Sequence, residues 1–115
     1  MIARHWRGWT TLENAGAYEL LLREKVLPGL RTISGYAGGY ILRRDLSAEA
    51  EFVVLNFFES LDAVKAFAGE NYIVAVFEPE ALALLARFEE TASHYEVRDH
   101  TLVSRMLLTD TEEGE

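Results

Sequence analysis

The stretch from residue 51 to residue 59 constrains the fold of this chain more than any other. It reads Glu-Phe-Val-Val-Leu-Asn-Phe-Phe-Glu, which is typical of a strand with apolar residues on both faces. Successive side chains of a strand point to opposite faces of the sheet, so both faces must be covered here. One face is expected to pack against the chain's own helices. A second copy of the sheet, packed about 10 Å away, is the economical cover for the other.

Three further stretches have the composition of strands. They lie at residues 2–9, 36–44 and 92–99. One helical region follows the first strand and another follows the third, so the order is β-α-β-β-α-β, the ferredoxin-like arrangement. The sequence therefore predicts an α+β fold in which an antiparallel sheet carries both main helices on one face. This domain is expected to span residues 1–100, and residues 101–115 are expected to form a C-terminal extension with a frayed acidic end.

The two helical regions are marked by apolar periodicity and by capping residues. The first is expected over residues 15–27, where apolar side chains recur every three or four positions, and to end at the Pro-Gly pair that follows. The second begins after Ser60, which suits an N-cap. It is expected to resume as a short helix over residues 72–77, and Pro79 fits the first turn of another.

Charge and cysteine content argue against several classes of function. The net charge is −8, so neither nucleic acid nor an anionic membrane surface is an expected partner. The absence of cysteine removes disulfides, thiolate catalysis and cysteine-ligated zinc. The three histidines have no metal-ligand spacing, and no metal or other cofactor is expected. With no apolar run near the ~20 residues of a membrane span, and no signal peptide, the expected location is the cytoplasm.

Three segments resemble the antibiotic-biosynthesis-monooxygenase-like family. They are Ala3-Arg4-His5-Trp6-Arg7-Gly8, the stretch FFESLDAVKAFAGE from Phe57 to Glu70, and His94-Tyr95-Glu96-Val97. The likeness runs from about residue 2 to residue 99. It implies a dimeric α+β barrel, hence a homodimer, with a cavity between the sheet and the helices of each subunit. In characterised members that cavity oxygenates aromatic polyketides, quinols or haem, often without a metal or flavin.

Two departures from the family's pattern bear on the chemistry. Members often carry Trp-x-Ser where this chain has Phe58-Glu59-Ser60. The haem-degrading branch uses that Trp and a histidine from the helical region that follows. Residues 60–93 contain no histidine, so haem degradation is not expected.

His94 and Asn56 are the candidate catalytic residues. His94 lies in the last predicted strand, and a histidine can take a proton from a phenol or enol near neutral pH. A half-buried histidine with a structural hydrogen bond is the alternative. Asn56 lies among apolar neighbours and can either donate to a substrate oxygen or bond to the backbone at a strand irregularity.

Aromatic side chains are the candidate substrate-binding residues. The cofactor-free oxygenases that the chain resembles use Asn, Trp and Tyr around an activated phenol. The candidates here are Trp6, Tyr18, Tyr40, Phe58 and Tyr72. Packing in the core or at a dimer contact is the alternative for each of them. Whether Trp6 or His5 faces the helices stays open, because one β-bulge would exchange them.

The expected function is that of a cofactor-independent monooxygenase-like enzyme acting on a small flat aromatic or enolic compound. Two alternatives are a non-catalytic dimer that binds a small molecule and a structural interaction domain. An open cavity beside the candidate residues favours the first two over the third.

Overall fold

Five antiparallel strands form one sheet in the computed structural model, which describes residues 1–101. The strands are β1 (Ile2–Thr11), β2 (Tyr36–Asp45), β3 (Glu49–Phe58), β4 (Leu85–Phe88) and β5 (Ser93–Glu96). Their order is β2-β3-β1-β4, and β5 also pairs with β1. The predicted ferredoxin-like α+β fold is confirmed, with β1 and β3 at the centre of the sheet. The predicted extension lies, apart from its first residue, outside the described residues.

Four α-helices pack on one face of this sheet. They are α1 (Leu12–Leu21), α2 (Leu27–Arg31), α3 (Leu61–Ala68) and α4 (Pro79–Leu84), and a π-helical segment (Leu22–Val26) joins α1 to α2. The side chain of Thr11 accepts from the Asn14 amide at the start of α1. Ser60, the predicted N-cap, accepts from the Ala63 amide at the start of α3. Each cap satisfies a backbone donor that has no partner within its helix.

The prediction that the first helix ends at Pro28 is wrong. Helical backbone runs from Leu12 to Arg31. Pro28 stands in the first turn of α2, where its fixed φ suits the helix and its missing N–H leaves few bonds unmade. The π-helical segment before it shifts the hydrogen-bond register, so the chain passes the proline without breaking.

The predicted short helix at residues 72–77 is also wrong. The backbone there is irregular, with one isolated bridge between Val74 and Thr91. Its polar groups are bonded to distant parts of the chain. Ala75 donates to the Glu90 carbonyl, and the Ile73 carbonyl accepts from Ala92. Because these tertiary bonds replace helical ones, apolar periodicity alone misassigned the segment.

The last strand of the predicted β-α-β-β-α-β order is divided into two strands, β4 and β5. The predicted strand at residues 92–99 is confirmed only over Ser93–Glu96, which is β5. The additional strand β4 begins at Leu85, directly after α4. Both pieces pair with β1, on either side of a short irregular connection.

The register of β1 on β3 decides which side chains face the helices. Arg4 lies opposite Asn56, and Trp6 lies opposite Val54. Trp6 is buried in the same cluster as Tyr18 of α1, so this row of alternate residues points toward the helices. His5, which lies between Arg4 and Trp6, therefore points to the opposite face.

That opposite face carries apolar side chains that residues 1–101 do not cover. Tyr40 and Leu42 of β2 are 51% and 47% exposed, and Tyr95 of β5 is 59% exposed. Tyr40 packs edge-to-face on Phe57 of β3, with ring centroids 6.4 Å apart. We call the surface formed by Tyr40, Leu42, Phe57 and Tyr95 the open face.

The described residues contain neither a membrane-spanning helix nor a metal-binding cluster. In residues 1–101, no helix is both long enough and apolar enough to cross a bilayer. The same part of the chain holds no cluster of three histidine, aspartate or glutamate side chains that could bind a metal ion. A cytoplasmic location stays a prediction.

Candidate functional site

A cavity of about 60 Å³ lies between the sheet and the helices. Its walls come from β1, β3, the first helical region, α3, α4 and the irregular segment before α4. The lining residues are Arg4, Trp6, Tyr18, Leu22, Val26, Val54, Asn56, Phe67, Ala75, Val76, Phe77, Glu78 and Ala81. This is the position at which a ferredoxin-like sheet and its helices leave room for a small molecule.

Arg4 is the buried cation of this cavity, with only 5% of its surface exposed. Its Nη1 donates to the Tyr72 carbonyl at 2.6 Å, and its Nη2 donates to the Val74 carbonyl at 3.2 Å. Its guanidinium also lies over the Phe67 ring, 5.4 Å from the centroid. Burial lowers the pKa of Arg4 to about 10, which still leaves it protonated at neutral pH.

His94 lies beside the cavity and is bonded to Arg4. The Arg4 Nη1 and the His94 Nε2 are 3.0 Å apart. Because a guanidinium has no acceptor, His94 Nε2 accepts and the ring proton of the neutral form sits on Nδ1. Burial, and then the charge of Arg4, lower the pKa of His94. His94 is thus a neutral imidazole whose acceptor nitrogen is already engaged.

Asn56 lies opposite Arg4 and is 4% exposed. Its Oδ1 accepts a hydrogen bond of 2.8 Å from the Tyr36 hydroxyl. A bond from Asn56 to backbone is one of the two interpretations of the sequence. The Oδ1 atom instead bonds to a side chain, that of Tyr36. Within residues 1–101, the Asn56 Nδ2 has no hydrogen-bond partner, and Asn56 lines the cavity.

Tyr18 and Trp6 form the aromatic wall. Tyr18 is 2% exposed and burial raises its pKa, so its hydroxyl stays protonated and can donate. Trp6 has its Nε1 committed to the Glu89 carbonyl at 2.6 Å. Its ring packs edge-to-face on Phe77, with centroids 5.7 Å apart. Trp6 therefore shapes the cavity without offering a free donor.

The structure brings three of the seven predicted site residues into the cavity wall and places the others around it. Asn56, Trp6 and Tyr18 line the cavity. His94 and Tyr72 contact each other edge-to-face and reach the cavity only through Arg4. Phe58 is fully buried in a separate core cluster with Leu30 and Val64. Tyr40 lies on the open face, across the sheet from the cavity.

Arg4 is the residue that sequence reasoning missed. A basic residue inside a strand reads as a solvated side chain until the strand's buried face is known. The available signal was its spacing of two from Trp6, which places both side chains on one face of β1.

Glu78, the residue before α4, also lines the cavity. Glu78 belongs as well to a surface groove of about 200 Å³ that shares Val26, Phe67 and Val76 with the cavity. Lys25 lines that groove and pairs with Glu80. The cavity and the groove are therefore neighbours, with these side chains between them.

The volume of the cavity limits what it holds without rearrangement. A dry cavity of roughly 150 Å³ accommodates benzene, whereas this one is about 60 Å³. An aromatic ring therefore enters only if a wall moves. The irregular wall formed by Ala75, Val76 and Phe77 has no helix or strand to hold it, apart from its few tertiary hydrogen bonds.

Solved structures provide the comparison with known proteins. A structure described as a candidate antibiotic biosynthesis monooxygenase from Deinococcus radiodurans is 16% identical, with a TM-score of 0.63, over 90% of this chain and 98% of that one. Another described in the same way, from Bacillus cereus, is 14% identical, with a TM-score of 0.60, over 89% and 97%. This chain has the fold of the antibiotic biosynthesis monooxygenase structures.

A third structure with this fold carries a more specific description. It is SnoaB, a cofactor-independent oxygenase from Streptomyces nogalater, which is 17% identical with a TM-score of 0.54. The match covers 86% of this chain and 95% of SnoaB. No protein-family model and no curated protein matches the sequence. At these identities the likeness establishes the fold, and the chemistry has to be argued from the cavity.

Proposed function

We propose that this protein is a cofactor-independent monooxygenase-like enzyme that acts on a small enolic or phenolic compound. The observation that carries the proposal is the polar lining of the cavity. Arg4, Asn56 and Tyr18 line it and carry N–H or O–H donors, and Arg4 adds a positive charge. Such a lining stabilises the anion of an ionisable compound relative to its neutral form.

The proposed reaction uses that anion directly. Once bound, the enolate or phenolate has electron density on a hydrogen-bearing carbon that is conjugated with its oxygen-bearing carbon, next to it in a simple enolate and across the central ring in an anthrone. This carbon forms a bond to dioxygen and gives a peroxide anion, which takes up a proton. Loss of water from the hydroperoxide leaves a new carbonyl, so one oxygen atom ends in the product and the other in water. Dioxygen is the oxidant, and the substrate carbon is oxidised.

The residues of the cavity have separate parts in this scheme. Arg4 and Asn56 hold the substrate oxygen that bears the negative charge, while Trp6 and Tyr18 position the carbon skeleton. His94 keeps Arg4 in place, because its acceptor nitrogen binds the guanidinium. Glu78 lies in the wall shared with the surface groove and is the carboxylate placed to receive the proton that the substrate loses.

Non-catalytic binding of a small molecule is the second candidate function. The observation that favours it is the engagement of His94 Nε2 by Arg4, which leaves the predicted base without a free lone pair toward the cavity. A purely structural role is less well supported, because it leaves the buried donors of Arg4 and Asn56 without a purpose.

The protein is further proposed to act as a homodimer that pairs two open faces. Tyr40, Leu42 and Tyr95 are about half exposed on a sheet face that no layer formed by the first 101 residues covers. Burial of such a patch against its own copy removes apolar surface from water on both subunits.

Oxygen uptake tests the catalytic proposal. Purified protein is mixed with a panel of anthrones and quinols in an oxygen electrode, and the product is analysed after reaction with isotopically labelled dioxygen. We expect uptake above the buffer rate and one labelled oxygen in the product. Asn56→Leu should reduce the rate by about 10²-fold, the typical loss of one oxyanion donor. The matched control is Tyr95→Phe on the open face, which should leave it unchanged.

Absence of protein-dependent uptake with every member of the panel would reject the catalytic proposal. If one of those compounds binds and is recovered unchanged, the non-catalytic alternative is the better account.

A further inference from the structure

We infer that Arg4 binds the charged end of the ligand as a two-pronged donor, and that the ligand is a 1,3-dicarbonyl enolate, with its charge shared by two oxygens. This inference rests on the proposed function in one respect, which is that the ligand occupies the same cavity. It adds the chemical class of the ligand and the residue that selects it.

The first observation is the number of hydrogen bonds that Arg4 makes. A guanidinium has five N–H donors. Three are directed at the Tyr72 carbonyl, the Val74 carbonyl and His94 Nε2. The Nε–H and one Nη2–H therefore have no partner within residues 1–101. Unpaired donors on a side chain that is 5% exposed are costly unless a ligand uses them.

The second observation is the missing counter-ion. Six of the other seven arginines in residues 1–101 have a carboxylate within 4.0 Å, and the seventh, Arg31, is exposed to solvent. The six are Arg7, Arg23, Arg43, Arg44, Arg87 and Arg98. Arg4 is far more buried than any of these, yet its three partners within residues 1–101 are two carbonyls and an imidazole. A buried cation without an anion favours an anionic ligand.

The third observation concerns the neighbours of those free donors. Asn56 lies directly opposite Arg4, and its Nδ2 is free within the described residues because Tyr36 occupies only its Oδ1. The other charged residue of the lining is Glu78, which also lines the surface groove. Arg4 and Asn56 are thus neighbours across two paired strands, while the one carboxylate of the lining comes from the segment just before α4.

The geometry of these donors points to two oxygens and not one. Nε and Nη2 are adjacent on the planar guanidinium, and adjacent N–H groups bind pairs of oxygens by parallel hydrogen bonds. A 1,3-dicarbonyl enolate offers such a pair and a flat skeleton for the wall of Trp6. A carboxylate offers the same pair of oxygens, so the experiment has to separate these two ligands.

Acetylacetone is the probe, because its enolate absorbs at longer wavelength than its neutral forms. The titration is done without oxygen, so that binding is measured apart from any turnover. We expect wild-type protein to lower the apparent pKa of bound acetylacetone by at least about one unit, a tenfold stabilisation of the anion. Arg4→Met should abolish the shift. Arg4→Lys should keep part of it, since the charge remains and the fork is lost. Arg23→Met, at an exposed ion pair, is the matched control and should behave as wild type.

A second measurement on wild-type protein covers the case in which Arg4→Met does not fold. Acetate and acetamide have nearly the same shape and differ in charge, and their binding is compared by chemical-shift titration. Tighter binding of acetylacetone enolate than of acetate supports the enolate, and tighter binding of acetate overturns that choice. Equal binding of acetate and acetamide, or binding of acetylacetone only in its neutral form, overturns the role of Arg4.

These outcomes are independent of the oxygen-uptake test. Enolate binding without oxygen uptake leaves this inference standing and rejects the catalytic proposal. Oxygen uptake with a substrate whose binding does not depend on Arg4 supports the catalytic proposal and rejects this inference.

Discussion

Arg4 and His94 determine each other's state at the edge of the cavity. Arg4 donates a hydrogen bond to His94 Nε2. A protonated imidazole could not accept this bond, because both of its nitrogens carry a proton. The same contact places a positive charge 3.0 Å from the ring, so protonation of His94 loses a hydrogen bond and adds a repulsion.

This pairing predicts how stability depends on pH. The pKa of His94 is lowered in the folded protein, mainly by burial and also by Arg4. As pH falls below about 6.5, an unfolded histidine takes up a proton while the folded one stays neutral. The unfolded state then binds more protons, so the free energy of unfolding should decrease as pH falls from about 6.5 toward the lowered pKa.

Urea unfolding at a series of pH values checks this expectation. His94→Gln removes the titrating group, so its stability should change less across that pH window than the stability of the wild type. His100→Gln, at an exposed position, serves as the control and should keep the wild-type slope. Parallel curves for wild type and His94→Gln would contradict the account.

Strands β2 and β3 approach closely where Gly39 faces Asn56. A Cβ atom on Gly39 would lie 2.1 Å from Asn56 Oδ1, 2.7 Å from the Leu55 carbonyl and 2.8 Å from the Tyr36 hydroxyl. The absence of a side chain therefore lets the Tyr36–Asn56 hydrogen bond form beneath β2. Through this bond, an edge strand orients an amide that lines the cavity.

Gly39→Ala should consequently destabilise the protein and disturb Asn56. We expect a loss of about 1–3 kcal/mol in the free energy of unfolding, the usual cost of overpacking. Gly16→Ala in α1 is the matched control, because nothing lies within 4 Å of its Cβ. Alanine is the better helix former, so that variant should gain roughly 0.5–1 kcal/mol. Equal stability of the two variants in chemical denaturation would refute the close approach.

The irregular segment that contains Ala75 and Phe77 is the least regular wall of the site. Arg4 holds it through the Tyr72 and Val74 carbonyls, and β1 thereby fixes a wall that has no secondary structure. A ligand that bonds to the remaining Nε–H and Nη2–H of Arg4 leaves these two carbonyl bonds in place. Arg4 can therefore hold this wall and the ligand at the same time.

At the scale of the molecule, the helices cover one face of the sheet, and no part of residues 1–101 covers the other. We expect light scattering at micromolar concentration to report about twice the 13.0 kDa mass of the chain. Leu42→Glu places a charge on the open face and should raise the dissociation constant at least tenfold, which corresponds to about 1.4 kcal/mol. Leu82→Glu is the control, because Leu82 is equally exposed, at 51% against 47%, but belongs to α4. A monomeric wild type would remove the barrel dimer from the proposal.

The sequence by itself determined the order of the elements and the two-faced apolar strand at β3. These follow from alternation, periodicity and caps, which depend on residues close together in the chain. Asn56, Trp6 and Tyr18 were candidates from their places in apolar strands or helices and from the family resemblance, and the register of β1 then decided that Trp6 faces the helices. The overall fold was therefore predictable, and part of the lining with it.

Tertiary structure alone decided the role of Arg4, the irregular path of residues 72–77 and the division of the last strand. The partners of Arg4 lie 68, 70 and 90 positions away along the chain. Sequence patterns assume that the carbonyls of residues 72–77 bond within a helix and that Arg4 is solvated. In the folded chain, Arg4 bonds to the Tyr72 and Val74 carbonyls instead. Burial and hydrogen-bond satisfaction are properties of the folded neighbourhood, and no local pattern records which distant group will supply the partner.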